Sequence, residues 1–150
     1  MAISLKECKY PNYYSVCNYV KVEDGNFHEH IPKGSEGIYF LHALDSSGSP
    51  LPLSRLLGID AEGILYIGTT KGRTLSERLA DFRKTILPGY KGSGHIAGRK
   101  YNKLPLLQKA FPYNTLAFSF RICDNPPAEE DKEIESYMQK FGEKPPLNSM

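Results

Sequence analysis

The chain has 150 residues, 19 Lys and Arg against 17 Asp and Glu, a net charge of +2, and three cysteines, Cys8, Cys17 and Cys123. That length is most simply one domain with a core of its own, and an odd number of widely spaced cysteines fits neither a disulfide framework nor a zinc knuckle, so reduced thiols are expected. No run approaches the roughly 18 apolar residues of a membrane span and the first residues lack a basic-then-apolar leader pattern, so the expectation is a soluble, cytoplasmic protein with no membrane partner.

Taken in order, residues 1–35 read as an N-terminal β-rich extension. Its clearest signal is a hairpin: Tyr19 to Val22, an Asp24-Gly25 turn, then Phe27 to Ile31. His28 and His30 would share one face of that second strand, a spacing that suits a metal, although no third ligand is near. Residues 36–150 form the main domain. Gly37 to Ala43 and Ile64 to Gly68 are short apolar runs and predict two core strands, each with one tyrosine close to a glycine, Tyr39 and Tyr66. A strand tyrosine is ordinarily a packing residue, so the elements downstream decide its role. Between the strands, Asp45 to Pro50 is turn chemistry, and Leu51 to Ile59, with Arg55 inside it, predicts a short turn of helix before Asp60 to Gly63 leads back into the sheet. So long an excursion is a candidate substrate-contacting loop.

Thr74 followed three residues on by Glu77 is a capping box, and Leu75, Leu79, Phe82 and Ile86 recur at helical spacing up to Pro88-Gly89. Arg78 lies beside that stripe and would be aimed along the sheet edge. Gly89 to Tyr101 is a glycine-rich, basic loop carrying His95, and Asn102 is expected to cap a short helix over Leu104 to Ala110, with Pro105 near its start. Leu116 to Ile122 alternates strictly, predicting a third strand with Leu116, Phe118, Phe120 and Ile122 inward. The last helix should follow Pro126-Pro127 and run to about Phe141, with Ile134, Met138 and Phe141 as its core face, Glu133 and Glu135 flanking it, and Gly142 as its stop. The expected fold is α/β (α+β), a central three-stranded, mainly antiparallel sheet flanked by helices.

Charge is unevenly spread. From Lys71 to Lys109 there are ten basic residues against two acidic ones, while from Asp124 onward seven acids face three lysines. A basic middle suits a polyanion held on one surface, and an evenly solvated surface is the alternative.

Together these residues resemble a GIY-YIG nuclease domain over Gly37 to Asn148. The two triplets appear as Gly37-Ile38-Tyr39 and Tyr66-Ile67-Gly68, the Leu-x-x-Arg-Leu setting as Leu75 to Leu79 around Arg78, and the glutamate preceding a Pro-x-x-Asn ending as Glu135 and Pro145 to Asn148. The resemblance implies a metal-dependent endonuclease acting on DNA. Glu135 would bind one Mg²⁺ (or Mn²⁺), with Glu133 as the competing carboxylate; Arg78 would clamp the scissile phosphate; Tyr39, acting alone or through Tyr66, would take the proton of the attacking water. A free phenol titrates near about 10, so that role requires the cationic belt of Arg73, Arg78 and His95 to lower it. Phe82 stands where members of that family often carry His or Tyr, which makes His95 the candidate for the supporting role. Lys71, Arg73, Arg99 and Lys100 would contact nucleic acid, and Asn148 would tie down the C-terminal segment. Nothing resembles a separate recognition domain, so target choice would come from the excursion, the glycine-rich loop, the N-terminal hairpin, a homodimer or a separate specificity partner. The rival readings are a non-catalytic nucleic-acid-binding or protein-docking module that keeps the fold, and a structure-specific RNA nuclease.

Overall fold

A computed structural model describes residues 19–92 and 94–148. Cys8, Cys17 and the first part of the expected extension lie outside the described residues. In chain order the strands are β1 (Val20–Lys21), β2 (Gly37–Ala43), β3 (Leu53–Arg55), β4 (Gly58–Asp60), β5 (Ile64–Thr69) and β6 (Leu116–Ile122). The α-helices are α1 (Leu75–Ile86), α2 (Ile96–Asn102), α3 (Pro105–Ala110) and α4 (Pro126–Phe141). The fold is mixed α and β with antiparallel sheets. None of the described helices is long and apolar enough to cross a membrane.

The main sheet has four strands in the order β1-β6-β2-β5, one more than expected, because Val20 and Lys21 pair with Phe118 and Ala117 on the free edge of β6. Helices cover both faces. Tyr39, Leu41 and Phe118 pack with Leu75, Leu79, Phe82 and Ile86 of α1 and Ala97 and Tyr101 of α2, whereas Ile38, Phe40, Ile64 and Ile67 pack with Tyr137 and Phe141 of α4. Every residue of β2 is therefore buried, which is why it reads as a continuous apolar run and not as an alternation. Pairing of β2 with β5 shifts register after Leu41, so Ile64 faces His42 while Tyr66 faces Leu41. That bulge at Leu65 places Ile64 and Ile67 on the α4 face and keeps Tyr66 on the face of Tyr39.

Several expectations are corrected. Phe27–Glu29 is a turn of 3₁₀ helix and His30 and Ile31 follow it as turn and bend, not as a strand: Phe27 and Ile31 plug the main core, Phe27 edge-on to Phe118 at 5.5 Å, and His28 is exposed, so the two histidines share no strand face. Arg83 of α1 donates to the carbonyls of Val22 and Glu23 at 2.9 and 3.1 Å, tying this segment to the domain. The excursion holds the β3–β4 hairpin, not a helical turn; Pro52 and Gly58 both disfavour helix, and Asp60 accepts from the Glu62 and Ile64 amides at 2.9 Å to steer the chain into β5. Part of the glycine-rich stretch is α2, and Asn102 is its last residue instead of the cap of α3, which begins with Pro105 and has no side-chain cap.

Two apolar assignments also move. Ile122 is 40% exposed at the end of β6, and Met138 is 36% exposed on α4. The inner face of α4 is instead Pro126, Glu133, Tyr137 and Phe141. Tyr137 buries more surface than Met138, and its hydroxyl donates to Asp60 at 2.8 Å; Glu133 accepts from Arg121 at 2.5 Å. With both polar groups satisfied, their burial carries no desolvation penalty large enough to turn the helix outward.

Candidate active site

The Tyr39 and Tyr66 rings lie on one face of the sheet, 6.1 Å apart between centroids. Gly68, opposite Tyr39 across the ladder, makes room for both: a Cβ there would lie 2.5 Å from Tyr39 Cζ and 2.6 Å from Tyr66 Cε2. The capping box of α1 is present as expected, with the Glu77 amide donating to Thr74 Oγ1 at 3.2 Å and the Thr74 amide to Glu77 Oε1 at 3.1 Å. It fixes the first turns of α1, where Arg78 sits half-buried with Nη2 3.5 Å from the Tyr39 hydroxyl.

His95 arrives from the other side. Its backbone N–H donates to Thr85 Oγ1 at 3.0 Å, and its ring stacks on Phe82 at 4.3 Å. Phe82, at the position where the resemblance leads one to expect a polar residue, is thus the platform for this imidazole. His95 also caps α2, its Nδ1 accepting from the Ala97 N–H at 3.2 Å. Burial, with the charge of Arg78, pushes its pKa down to about 3, so the ring is neutral. A neutral ring that accepts at Nδ1 carries its proton on Nε2, and Nε2–H donates to the Tyr39 oxygen at 2.5 Å. The Tyr66 ring lies beside that of Tyr39, and the Tyr39 hydroxyl favours the ionised form of Tyr66. The chain of donors runs Ala97, His95, Tyr39, with the half-buried Tyr66 beside its end.

The expected cationic belt does not win. His95 is neutral, and Arg73 is held by Asp81 and Glu77. Burial dominates both phenols. Tyr39, fully enclosed, is raised far above its usual range by burial and by Tyr66, with Arg78 pulling the other way. Tyr66 is pushed up to about 12 by burial and by Glu130, against Arg78 and the Tyr39 hydroxyl. Tyr66 is the more accessible and more acidic of the pair.

Glu135 is not brought to this cluster. It lies on the exposed side of α4, where it accepts from Gln139 at 2.9 Å, about 200° round the helix from buried Glu133. Glu133 is committed to Arg121, together with Glu129. The carboxyl that acts electrostatically on both phenols is Glu130, in the first turns of α4, and burial raises its own pKa against the pull of Lys71 and Arg78. The periodicity of α4 contained this residue, because a stripe drawn through Tyr137 instead of Met138 carries Pro126, Glu130, Glu133 and Phe141 with it. No three His, Cys, Asp or Glu side chains gather around a point among the described residues, so an ion here would rest on one carboxylate with water and phosphate oxygens, the arrangement Mg²⁺ favours. Glu130 is the half-buried carboxyl that could supply it.

Among the basic candidates, Lys71 is exposed and acts electrostatically on both His95 and Glu130, while Arg99 and Lys100 lie on α2. Asn148 accepts from the Ile67 N–H and donates to the Ile67 carbonyl, both at 2.9 Å, pairing with the edge of β5 as another strand would. Arg78 makes no ion pair among the described residues, and its Nε is buried without a partner. Comparison of the chain with protein-family models, curated proteins and solved structures found no match.

Proposed function

We propose that the chain is a metal-dependent endonuclease of the GIY-YIG type that hydrolyses phosphodiester bonds in DNA at the cluster of Tyr39, Tyr66, Arg78, His95 and Glu130. The observation that carries this reading is Arg78, a guanidinium with no ion pair among the described residues and an orphaned Nε, set 3.5 Å from the Tyr39 hydroxyl. A buried donor without a partner is costly, and a phosphate oxygen would satisfy it with a charge-assisted bond.

Arg78 binds the scissile phosphate and neutralises charge that builds on its oxygens. Tyr66, as phenolate, takes one proton from water; the resulting hydroxide oxygen bonds to phosphorus as the bond from phosphorus to the leaving ester oxygen breaks, and that oxygen takes its proton from solvent. Tyr39 steadies the Tyr66 phenolate by donating to it, and His95 orients Tyr39. Glu130 would hold a Mg²⁺ or Mn²⁺ ion, which when bound supplies positive charge to the phosphate and lowers the proton affinity of nearby oxygens. Lys71 and the basic face of α2 hold the flanking strand. Cytoplasmic localisation, a homodimer and a separate specificity partner are proposals on the same footing.

One observation favours the non-catalytic binding module: Tyr39 is wholly buried, so no water reaches its hydroxyl directly. Incubating the purified chain with supercoiled plasmid and Mg²⁺ or Mn²⁺, beside Arg78→Ala, separates the readings. The endonuclease nicks, and Arg78→Ala slows nicking on the order of 10²- to 10³-fold. Salt-sensitive gel retardation with no nicking by the wild type would establish the binding module instead.

A further inference from the structure

Beyond the end of α2 remote from His95, the turn after α1 and the start of α3 enclose a cleft of about 650 Å³. Tyr90 and Lys91 line it from the turn, Arg99, Asn102 and Lys103 from α2 and its end, and Gln108 from α3; among the described residues no acidic side chain does. Three cations without an acid, gathered in a concavity, focus positive potential there. Arg99 repeats the condition of Arg78: its Nε is buried without a partner, and it makes no ion pair among the described residues.

The two amides narrow the ligand. Asn102 Nδ2 donates to the carbonyls of Thr85, Leu87 and Tyr90 at 3.2 to 3.3 Å, and Gln108 Nε2 donates to those of Tyr101 and Asn102 at 3.1 and 2.7 Å. Their amino groups are committed to backbone, which leaves their carbonyl oxygens, both acceptors, for a ligand. A bare inorganic anion has no use for acceptors or for an aromatic ring. A nucleobase uses both, through an exocyclic amine and a π-face. We propose that this cleft seats one unstacked nucleotide of the substrate strand, its base against Tyr90 and the amide oxygens, its phosphates on Lys91, Arg99 and Lys103.

The proposal rests on the nucleic-acid reading above and narrows the substrate to DNA with an unpaired nucleotide close to the cut. Its distance from the tyrosines is short. From His95, the N-cap of α2, to Asn102, its last residue, is about 10 Å at 1.5 Å per residue. Thr85 joins the two places, accepting from the His95 N–H through Oγ1 at 3.0 Å and from Asn102 through its carbonyl at 3.3 Å.

The test is fluorescence anisotropy of the full chain without divalent metal, so that nothing is cut, with a labelled 12-nucleotide single strand and a blunt duplex of the same sequence. The wild type should bind the single strand more tightly. Tyr90→Ala should weaken single-strand binding about tenfold or more and change duplex binding less than twofold. Lys71→Ala, outside the cleft, should weaken both alike. If Tyr90→Ala melts early, Gln108→Leu replaces it, with the same selective loss expected. Equal binding of the two forms by the wild type, or loss of both forms together in the cleft variants, overturns the proposal. Because binding is read without catalysis, selective Tyr90 dependence in a chain that never nicks plasmid rejects the endonuclease alone, and nicking with no Tyr90 dependence rejects the cleft alone.

Discussion

Two buried histidines lie on opposite faces of the same sheet, and each touches a hydroxyl. His42, on the α4 face, has Nε2 against Ser119 Oγ at 2.7 Å and Nδ1 against the Glu62 carbonyl at 2.8 Å, with the Tyr19 hydroxyl 3.4 Å from the same nitrogen. His95, on the α1 face, spends Nδ1 on a helix end and Nε2 on Tyr39, which leads to Tyr66 and to the unpaired guanidinium of Arg78. Burial depresses both imidazoles, His42 to about 4 and His95 to about 3, so a shifted pKa does not separate them. What separates them is the next group along: His42 meets Ser119, a backbone carbonyl and the Tyr19 hydroxyl, whereas the Tyr39 oxygen that His95 reaches lies 3.5 Å from Arg78, a guanidinium with an unsatisfied Nε.

That contrast breaks most readily by deleting one hydroxyl from each network. Tyr66→Phe should slow plasmid nicking about 10²- to 10⁴-fold with little change in the melt, the range of a lost general base. Ser119→Ala should do the opposite, leaving nicking within about twofold while costing about 1–3 kcal/mol of stability, because His42 Nε2 loses its buried partner. Equal loss of nicking in both variants would erase the distinction.

The pH dependence sharpens it. With Tyr66 pushed up to about 12, its phenolate fraction at neutrality is small, so the nicking rate should rise about tenfold per pH unit from 7 to 9. Stability should run the same way at lower pH. Both histidines stay neutral in the folded chain below their ordinary value of 6.5, while the unfolded chain takes up protons, so stability is full above about 6.5 and falls as pH drops toward 4. Each imidazole contributes up to about 1.4 kcal/mol per pH unit, and His42→Gln should remove about half of the slope in a urea titration series if that variant keeps the fold. A smaller effect is expected at Gly68→Ala, whose methyl group would press on both phenols: about 1–3 kcal/mol of lost stability, with nicking reduced through displaced hydroxyls.

Much of this arrangement is legible in the amino acids. The apolar runs of β2 and β5, the capping box and stripe of α1 and the alternation of β6 each rest on one local signal strong enough to survive packing. Tyr39, Tyr66, Arg78 and His95 come together through their order along those elements. The misses lie where tertiary partners override local pattern. Glu133 and Tyr137 look peripheral until Arg121 and Asp60 are seen to satisfy them, and with them inward α4 rotates, leaving Glu130 half-buried and Glu135 in solvent. Phe27 reads as a strand residue because its burial against Phe118 is invisible locally. The neutrality of His95 depends on enclosure by Phe82 and Thr85, which spacing does not encode.

The measurement that bears most directly on the account is Mg²⁺-dependent nicking by Glu130→Gln and Glu135→Gln, read side by side with the wild type across a metal titration. The prediction is that Glu130→Gln loses nicking about 10²-fold or more and shifts the metal midpoint upward, while Glu135→Gln, an exposed surface change, matches the wild type in rate and melts within about 0.5 kcal/mol of it. Full activity in Glu130→Gln, with activity lost in Glu135→Gln, would contradict it.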